Sequence, residues 1–444
     1  MLQLATRGKL CDRFSARIST MLFRLRVLLM LTVLAGCDMS VSQLSPSELP
    51  GTTATTDTKL PMDVTALDNK ARELVVHHNW PGLSIAVGWQ GELAWAHAVG
   101  FAAIAEERPL TPDMRIRIGP MTQAVTAAML ATLAEDGIID LDVPVGQYLA
   151  ELPEPYSGLT PRALLQHLAG VRDHRGEDEY ISGFRHCDTT GAQLDIFVEC
   201  PLAQPPYESP QHSAYGLVLA AAAAEAASDR SYQHLIERRI LEPLGMTRTG
   251  VAPVAGGQVL GDPGGPGQPR SAEDAWLYWP FAATNTRYGL EHSSQSDLSC
   301  VVPAEGLVST PSDLVRLGNA LLTVELISPD RLKELFAPAQ LADGQSSEYG
   351  MGWRRLELQV GDRKVTIYSH GDRSGRNDIG PGVPGGTAHL VLVPEYELVI
   401  ASATNVTFAR DLDDFNHALV AEIISAINTY STTFSKQTHS GNSR

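Results

Sequence analysis

Apolar positions along this chain fall into two kinds of run, of strand length near both ends of the main body and of helix length between them. Ser84 to Val87 and Glu92 to Val99 flank Trp89-Gln90-Gly91, the pattern of a hairpin. Gln123 to Glu135 is rich in Ala and Leu, keeps a helical period and is stopped by Gly137, which predicts a buried helix. Leu217 to Ala227 is apolar on every side and predicts a second, internal helix. Thr366 to Tyr368, His389 to Val393 and Leu398 to Ala403 predict strands of a closing antiparallel sheet. Strands at both ends with helices between them imply one α/β domain: an α+β sandwich, its antiparallel sheet flanked by helices, with a helical lobe. Residues 253–272, crowded with Gly and Pro, read as a surface excursion within that domain. No internal repeat is visible.

Composition narrows the setting. The chain has 444 residues, 43% hydrophobic and 19% charged, enough for a large core. Its formal charge of -17 excludes a basic nucleic-acid groove, and residues 1–36 hold six of the basic residues against one acid. From Met21 the chain reads as a short basic region, an apolar run from Val27 to Leu34, and then Leu34-Ala35-Gly36-Cys37. That ending resembles the bacterial lipobox, whose cysteine becomes the lipidated first residue. Residues 1–36 are thus expected to be a leader, with Met21 as the alternative start. Cys37 is the expected anchor to the membrane, and Asp38 after it resembles a signal for retention at the inner membrane. No other segment approaches the roughly 20 apolar residues of a membrane span. Residues 37–60, rich in Ser, Thr and Pro, read as a flexible tether, residues 61–429 as the folded domain, and residues 430–444 as a polar tail. In that oxidising compartment Cys187 and Cys200, close in sequence, are candidates for a disulfide that leaves Cys300 over, although the odd number permits no firm pairing. No cysteine pair has metal-site spacing, and no cofactor is expected.

The chemistry concentrates at the start of the first predicted helix, where Arg117 to Thr126 reads Arg-Ile-Gly-Pro-Met-Thr-Gln-Ala-Val-Thr. Further segments follow in order: Leu141-Asp142-Val143-Pro144-Val145, Leu164-Leu165-Gln166-His167-Leu168-Ala169-Gly170-Val171, His212-Ser213-Ala214-Tyr215-Gly216 with Glu225, Glu242-Pro243-Leu244-Gly245-Met246, Gly306-Leu307-Val308-Ser309-Thr310 and Tyr349-Gly350-Met351-Gly352-Trp353. This series, from about residue 65 to about 428, resembles the serine β-lactamase-like and penicillin-binding-protein-like hydrolases. It is closest in wording to the mitochondrial serine β-lactamase-like protein and its bacterial relatives. The resemblance implies a Ser-x-x-Lys pair at the helix start, a Tyr that shuttles the proton, and a His-x-Gly or Lys-Thr-Gly strand that lends an oxyanion donor.

Measured against that pattern, this chain is degenerate. The serine position is Pro120 and the lysine position is Gln123; proline has neither a hydroxyl nor a backbone N–H. The tyrosine position is His212, which reads either as a proton carrier or as a plain loop histidine. His370-Gly371-Asp372 keeps half of the third motif, and Asp372 adds a carboxylate where a small residue is usual. Arg373 to Pro384 reads as an insertion that covers or reshapes the mouth. Thr122, roughly 200° round the helix from Pro120, points elsewhere, and Ser213 is no better placed. Proline is favoured in a first helical turn and Gln is a good helix former, so these changes spare the helix and remove the chemistry.

The expectation is a catalytically inactive, lipid-anchored protein facing the periplasm, binding a peptidoglycan fragment or a peptide, or serving as a scaffold. The alternative is a divergent hydrolase of small esters, peptides or peptidoglycan fragments, using His212 or His370 with water. A third is a self-associating structural protein. The sequence leaves the oligomeric state open.

Overall fold

The two sets of terminal strands meet in the middle of one sheet. The structure is a computed structural model that describes residues 45–53, 58–173, 186–252, 272–279, 291–292, 297–371, 386–407 and 409–440. Its principal strands are β1 (Gly51–Thr53), β2 (Gly82–Trp89), β3 (Glu92–Ala103), β4 (Arg354–Val360), β5 (Arg363–Gly371), β6 (Thr387–Val393) and β7 (Leu398–Thr404). They lie in the order β1-β3-β2-β7-β6-β5-β4, every neighbour antiparallel, with the short strand Arg108–Pro109 added on β3. Closure comes from β7 on β2, Leu398 opposite Trp89 through to Thr404 opposite Leu83.

Both faces of this sheet are covered, so its central strands are apolar in continuous runs rather than alternating with polar residues. The alternation instead divides each strand between two cores. Ile85, Val87, Val391, Val393, Leu398 and Ile400 face a core shared with helices α1 (Thr65–His77) and α5 (Leu412–Ser440). Ala86, Leu390, Leu392, Val399, Ala401 and Ala403 face the larger core, which holds α2 (Thr122–Glu135), α3 (Ala214–Ser228) and α4 (Pro311–Leu322). In α2 every residue from Thr122 to Ala134 is buried, and in α3 every residue from Ala214 to Ala224. That is why neither helix shows a polar face in the sequence.

The elements follow the apolar pattern, extended at their ends by capping. Ser213 accepts the Gly216 N–H at 3.0 Å and starts α3 three residues before its apolar run. Two expected boundaries differ. Within the expected tether, residues 45–53 are packed onto the domain: β1 pairs with β3, and Arg72 donates to the carbonyls of Leu49 at 2.6 Å and Pro46 at 3.3 Å. At the other end α5 continues through Ser440, into the expected polar tail.

The expected Cys187–Cys200 pairing is corrected. Cys187 is bonded to Cys300, 113 positions away, and Cys200 is buried outside that bridge. Nearness in sequence gave the wrong partner because packing of the helical lobe brings residues 187 and 300 together. No helix among the described residues is long and apolar enough to cross a membrane. The leader, Cys37, Asp38, the excursion at 253–271, Asp372 and the insertion after it lie outside the described residues.

Candidate active site

Pro120 sits in a single 3-10 turn, Gly119–Met121, that runs directly into α2. Its ring is compatible there because an N–H in the first turn has no helical partner in any case. Gly119 enters the turn with φ of 49°, a conformation that favours glycine. Thr122 is fully buried and its hydroxyl accepts the Leu307 N–H at 3.3 Å, so it faces away from the site. Ser213 is occupied as the cap of α3 and donates to the Arg172 carbonyl at 2.8 Å.

Gln123, fully buried one helical turn after Pro120, joins two imidazoles. Its Nε2 lies 3.0 Å from Nε2 of His212, and its Oε1 lies 3.0 Å from Nε2 of His167. On the far side, Nδ1 of His212 is 3.3 Å from Oδ2 of Asp173. The other oxygen of Asp173 accepts the Ala214 N–H at 3.0 Å, which ties the carboxylate to the start of α3. His212 is therefore a member of the site and not a plain loop histidine.

The directions of these bonds follow from the acceptor at the end. A carboxylate only accepts, so a neutral His212 carries its proton on Nδ1 and offers a lone pair at Nε2. Gln123 must meet that lone pair with its amide N–H₂, which leaves its carbonyl to accept from Nε2–H of His167. The result is one chain from His167 through Gln123 and His212 to Asp173.

His370, on β5, supplies the third side. It donates from Nε2 to the Pro120 carbonyl at 2.8 Å, which binds the strand to the helix start. Burial pushes its pKa down to about 4, with the Pro120 carbonyl pulling the other way. His167 is held well below the usual imidazole range, first by burial and then by the neighbouring His212 and His370. Both rings are neutral at pH 7. Gly371 has φ of 136°, and a Cβ there would lie 2.2 Å from the Ala388 carbonyl oxygen, so only glycine fits at that place in the ladder.

Pro120, His167, His212, Tyr349, Arg354, Ser369, His370, Gly371 and His389 line a cavity of about 20 Å³. The structure thus brings together Pro120, Gln123, His212, His370 and Gly371 from three separate parts of the sequence. His167 and Tyr349 lay inside segments quoted above without being singled out as site residues. Asp173 follows the first of those segments, and its acidity beside a run ending Val171-Arg172 was the available signal. Arg354, Ser369 and His389 carried none. No group of three His, Cys, Asp or Glu side chains among the described residues is arranged to hold a metal ion.

Comparison with known proteins bears on the family and the fold. A family model described as Beta-lactamase matches residues 67–423. A penicillin-binding protein of Bacillus subtilis (strain 168) is 28% identical over 284 residues, 63% of this chain and 60% of that protein. The mitochondrial serine beta-lactamase-like protein of Homo sapiens is 35% identical over 99 residues, 21% of this chain and 18% of that protein. The chain thus spans less than two thirds of the length of either curated relative. Among solved structures, the octameric penicillin-binding protein homologue from Pyrococcus abyssi has the same fold, with a TM-score of 0.64 at 20% identity, over 82% of this chain and 78% of that one.

Proposed function

We propose, from the premise that this chain belongs to the beta-lactamase family, that it binds its ligand without acylation beside Pro120. In this reading it is a binding or scaffold protein of the cell envelope. The observation that carries it is the state of the helix start: a proline stands at the nucleophile position, and the Gln123 amide occupies the lone pair of His212 that a base would need. Machinery of this kind acts as a unit; in subtilisin, loss of the serine alone costs about 10⁶ in turnover. A peptidoglycan fragment or a cell-wall peptide is the ligand class proposed, and lipidation at Cys37 the proposed attachment.

A fluorophosphonate and a fluorescent penicillin are expected to leave the purified chain unlabelled. Stoichiometric labelling within the cavity overturns the reading. Cell-wall fragments are expected to raise the melting temperature, by mass action on the folded state. For the attachment, metabolic labelling with palmitate is expected in the full chain and absent in Cys37→Ser.

A second reading is favoured by one feature, the Asp173–His212 pair, which has the carboxylate–imidazole order of a general base. On that reading the chain hydrolyses a small ester or peptide with water, after Gln123 withdraws from Nε2. Release of nitrophenol from a simple ester, lost in both His212→Gln and Asp173→Asn, would establish it. Absence of turnover in the unaltered chain removes it.

A further inference from the structure

All four imidazoles that line the cavity are tied into the fold by ring nitrogens, His167 by Nε2 on Gln123. His212 is held at both nitrogens, His370 by the Pro120 carbonyl, and His389 at Nδ1 by the Asn416 amide at 3.1 Å. Nδ1 of His167 differs: among these rings it is the one buried nitrogen with no partner among the described residues. His167 itself is only 6% exposed.

What this nitrogen offers is fixed at the other end of the hydrogen-bond chain. Asp173 puts the proton of His212 on Nδ1; His212 turns the Gln123 amide; the Gln123 carbonyl then holds the proton of His167 on Nε2. Nδ1 is left as a lone pair, a pure acceptor. Burial keeps the ring neutral, so it does not become a donor near neutral pH. The backbone adds a second sign of a built position, because His167 has φ of 57°, a conformation rare for a residue with a side chain. A buried acceptor without a donor lowers stability, and such groups are usually matched by a water or a ligand.

The cavity that His167 lines has room for about one water-sized group, since about 10–15 Å³ suffices to admit a water. We propose that this cavity is a seat for a single hydrogen-bond donor, a water or the amino head group of a ligand, held by Nδ1 of His167. Tyr349 and Ser369 line the same cavity, and each carries a hydroxyl, a group able to accept an N–H or O–H bond. The inference rests on reading the cavity as a binding site, and names the chemistry that the cavity would recognise there.

The test is ¹⁵N NMR of the histidine-labelled full chain at pH 7, with His167 assigned by His167→Gln. Spectra are taken alone, with methylammonium, and with tetramethylammonium, which has no N–H to donate. The expected result is a His167 protonated on Nε2, with Nδ1 at the position of a hydrogen-bonded acceptor. If methylammonium shifts Nδ1 and tetramethylammonium does not, the donor is an amino group; if neither shifts an already bonded Nδ1, it is water. A proton on Nδ1, or the resonance of an unbonded acceptor under all three conditions, overturns the proposal. In Gln123→Leu the Nε2-protonated form is expected to lose its exclusive population, and an unchanged spectrum there overturns the role given to the chain. Covalent labelling of the cavity would defeat the non-acylating reading alone, so the two failures are distinguishable.

Discussion

At the scale of residues, function here turns on which atoms have lone pairs and protons to give. Pro120 carries neither a hydroxyl nor a backbone N–H, and on the proposed reading Gln123 stands in place of a base, its amide filling the acceptor of His212. Pro120→Ser alone is therefore expected to stay near background in fluorophosphonate labelling. Pro120→Ser with Gln123→Lys and His212→Tyr is expected to label at position 120; a single variant that labels as fast as the triple one would refute this account. His370 gives a pH dependence with a definite sign. Its pKa of about 4 in the fold lies below the ordinary 6.5, so the unfolded chain takes up the proton first as the pH falls. The stability is whole above about pH 6.5 and is lost toward pH 4, by about 3 kcal/mol at 1.36 kcal/mol per unit. His370→Gln, which keeps a donor for the Pro120 carbonyl, should reduce the slope of the denaturation midpoint against pH between 7 and 5, the remainder coming from His167 and His389, which burial also holds low. An unchanged slope would assign the titration elsewhere.

At the scale of elements, legibility depended on burial. The cores of α2, α3 and the central strands were readable because both faces are apolar, and their ends were not, since capping by Ser213 depends on a single side chain. The strand β1 was hidden within a run of Ser, Thr and Pro. Its pairing comes from β3 and from Arg72, far away in sequence, rather than from any pattern of its own. The packing of α4 on the sheet turns on Gly318: a Cβ there would lie 2.6 Å from Cγ1 of Val399 and 2.7 Å from Cδ2 of Leu392. Gly318→Ala gains up to about 1 kcal/mol in helix propensity but overpacks the contact by about 1–3 kcal/mol. A lower urea midpoint is expected, and a higher one would show that Val399 and Leu392 yield freely.

At the scale of the whole molecule, long-range closure holds the lobes. The Cys187–Cys300 bridge spans 113 positions, and Cys187→Ser with Cys300→Ser is expected to cost about 2–5 kcal/mol, read as a lower melting temperature. The same distance explains why that pairing was invisible in the sequence while Cys187 and Cys200 looked eligible. By itself the sequence determined the sandwich of sheet and helices, because apolar periodicity is local and survives substitution. It also determined that a proline stands just before α2, which a single residue decides. Only the tertiary structure decided that His212 belongs to the site, that Asp173 and His167 join it, and which imidazole keeps a lone pair. Those facts depend on hydrogen-bond direction among residues 39 to 89 positions apart, and direction is set by what stands at the end of the chain of bonds.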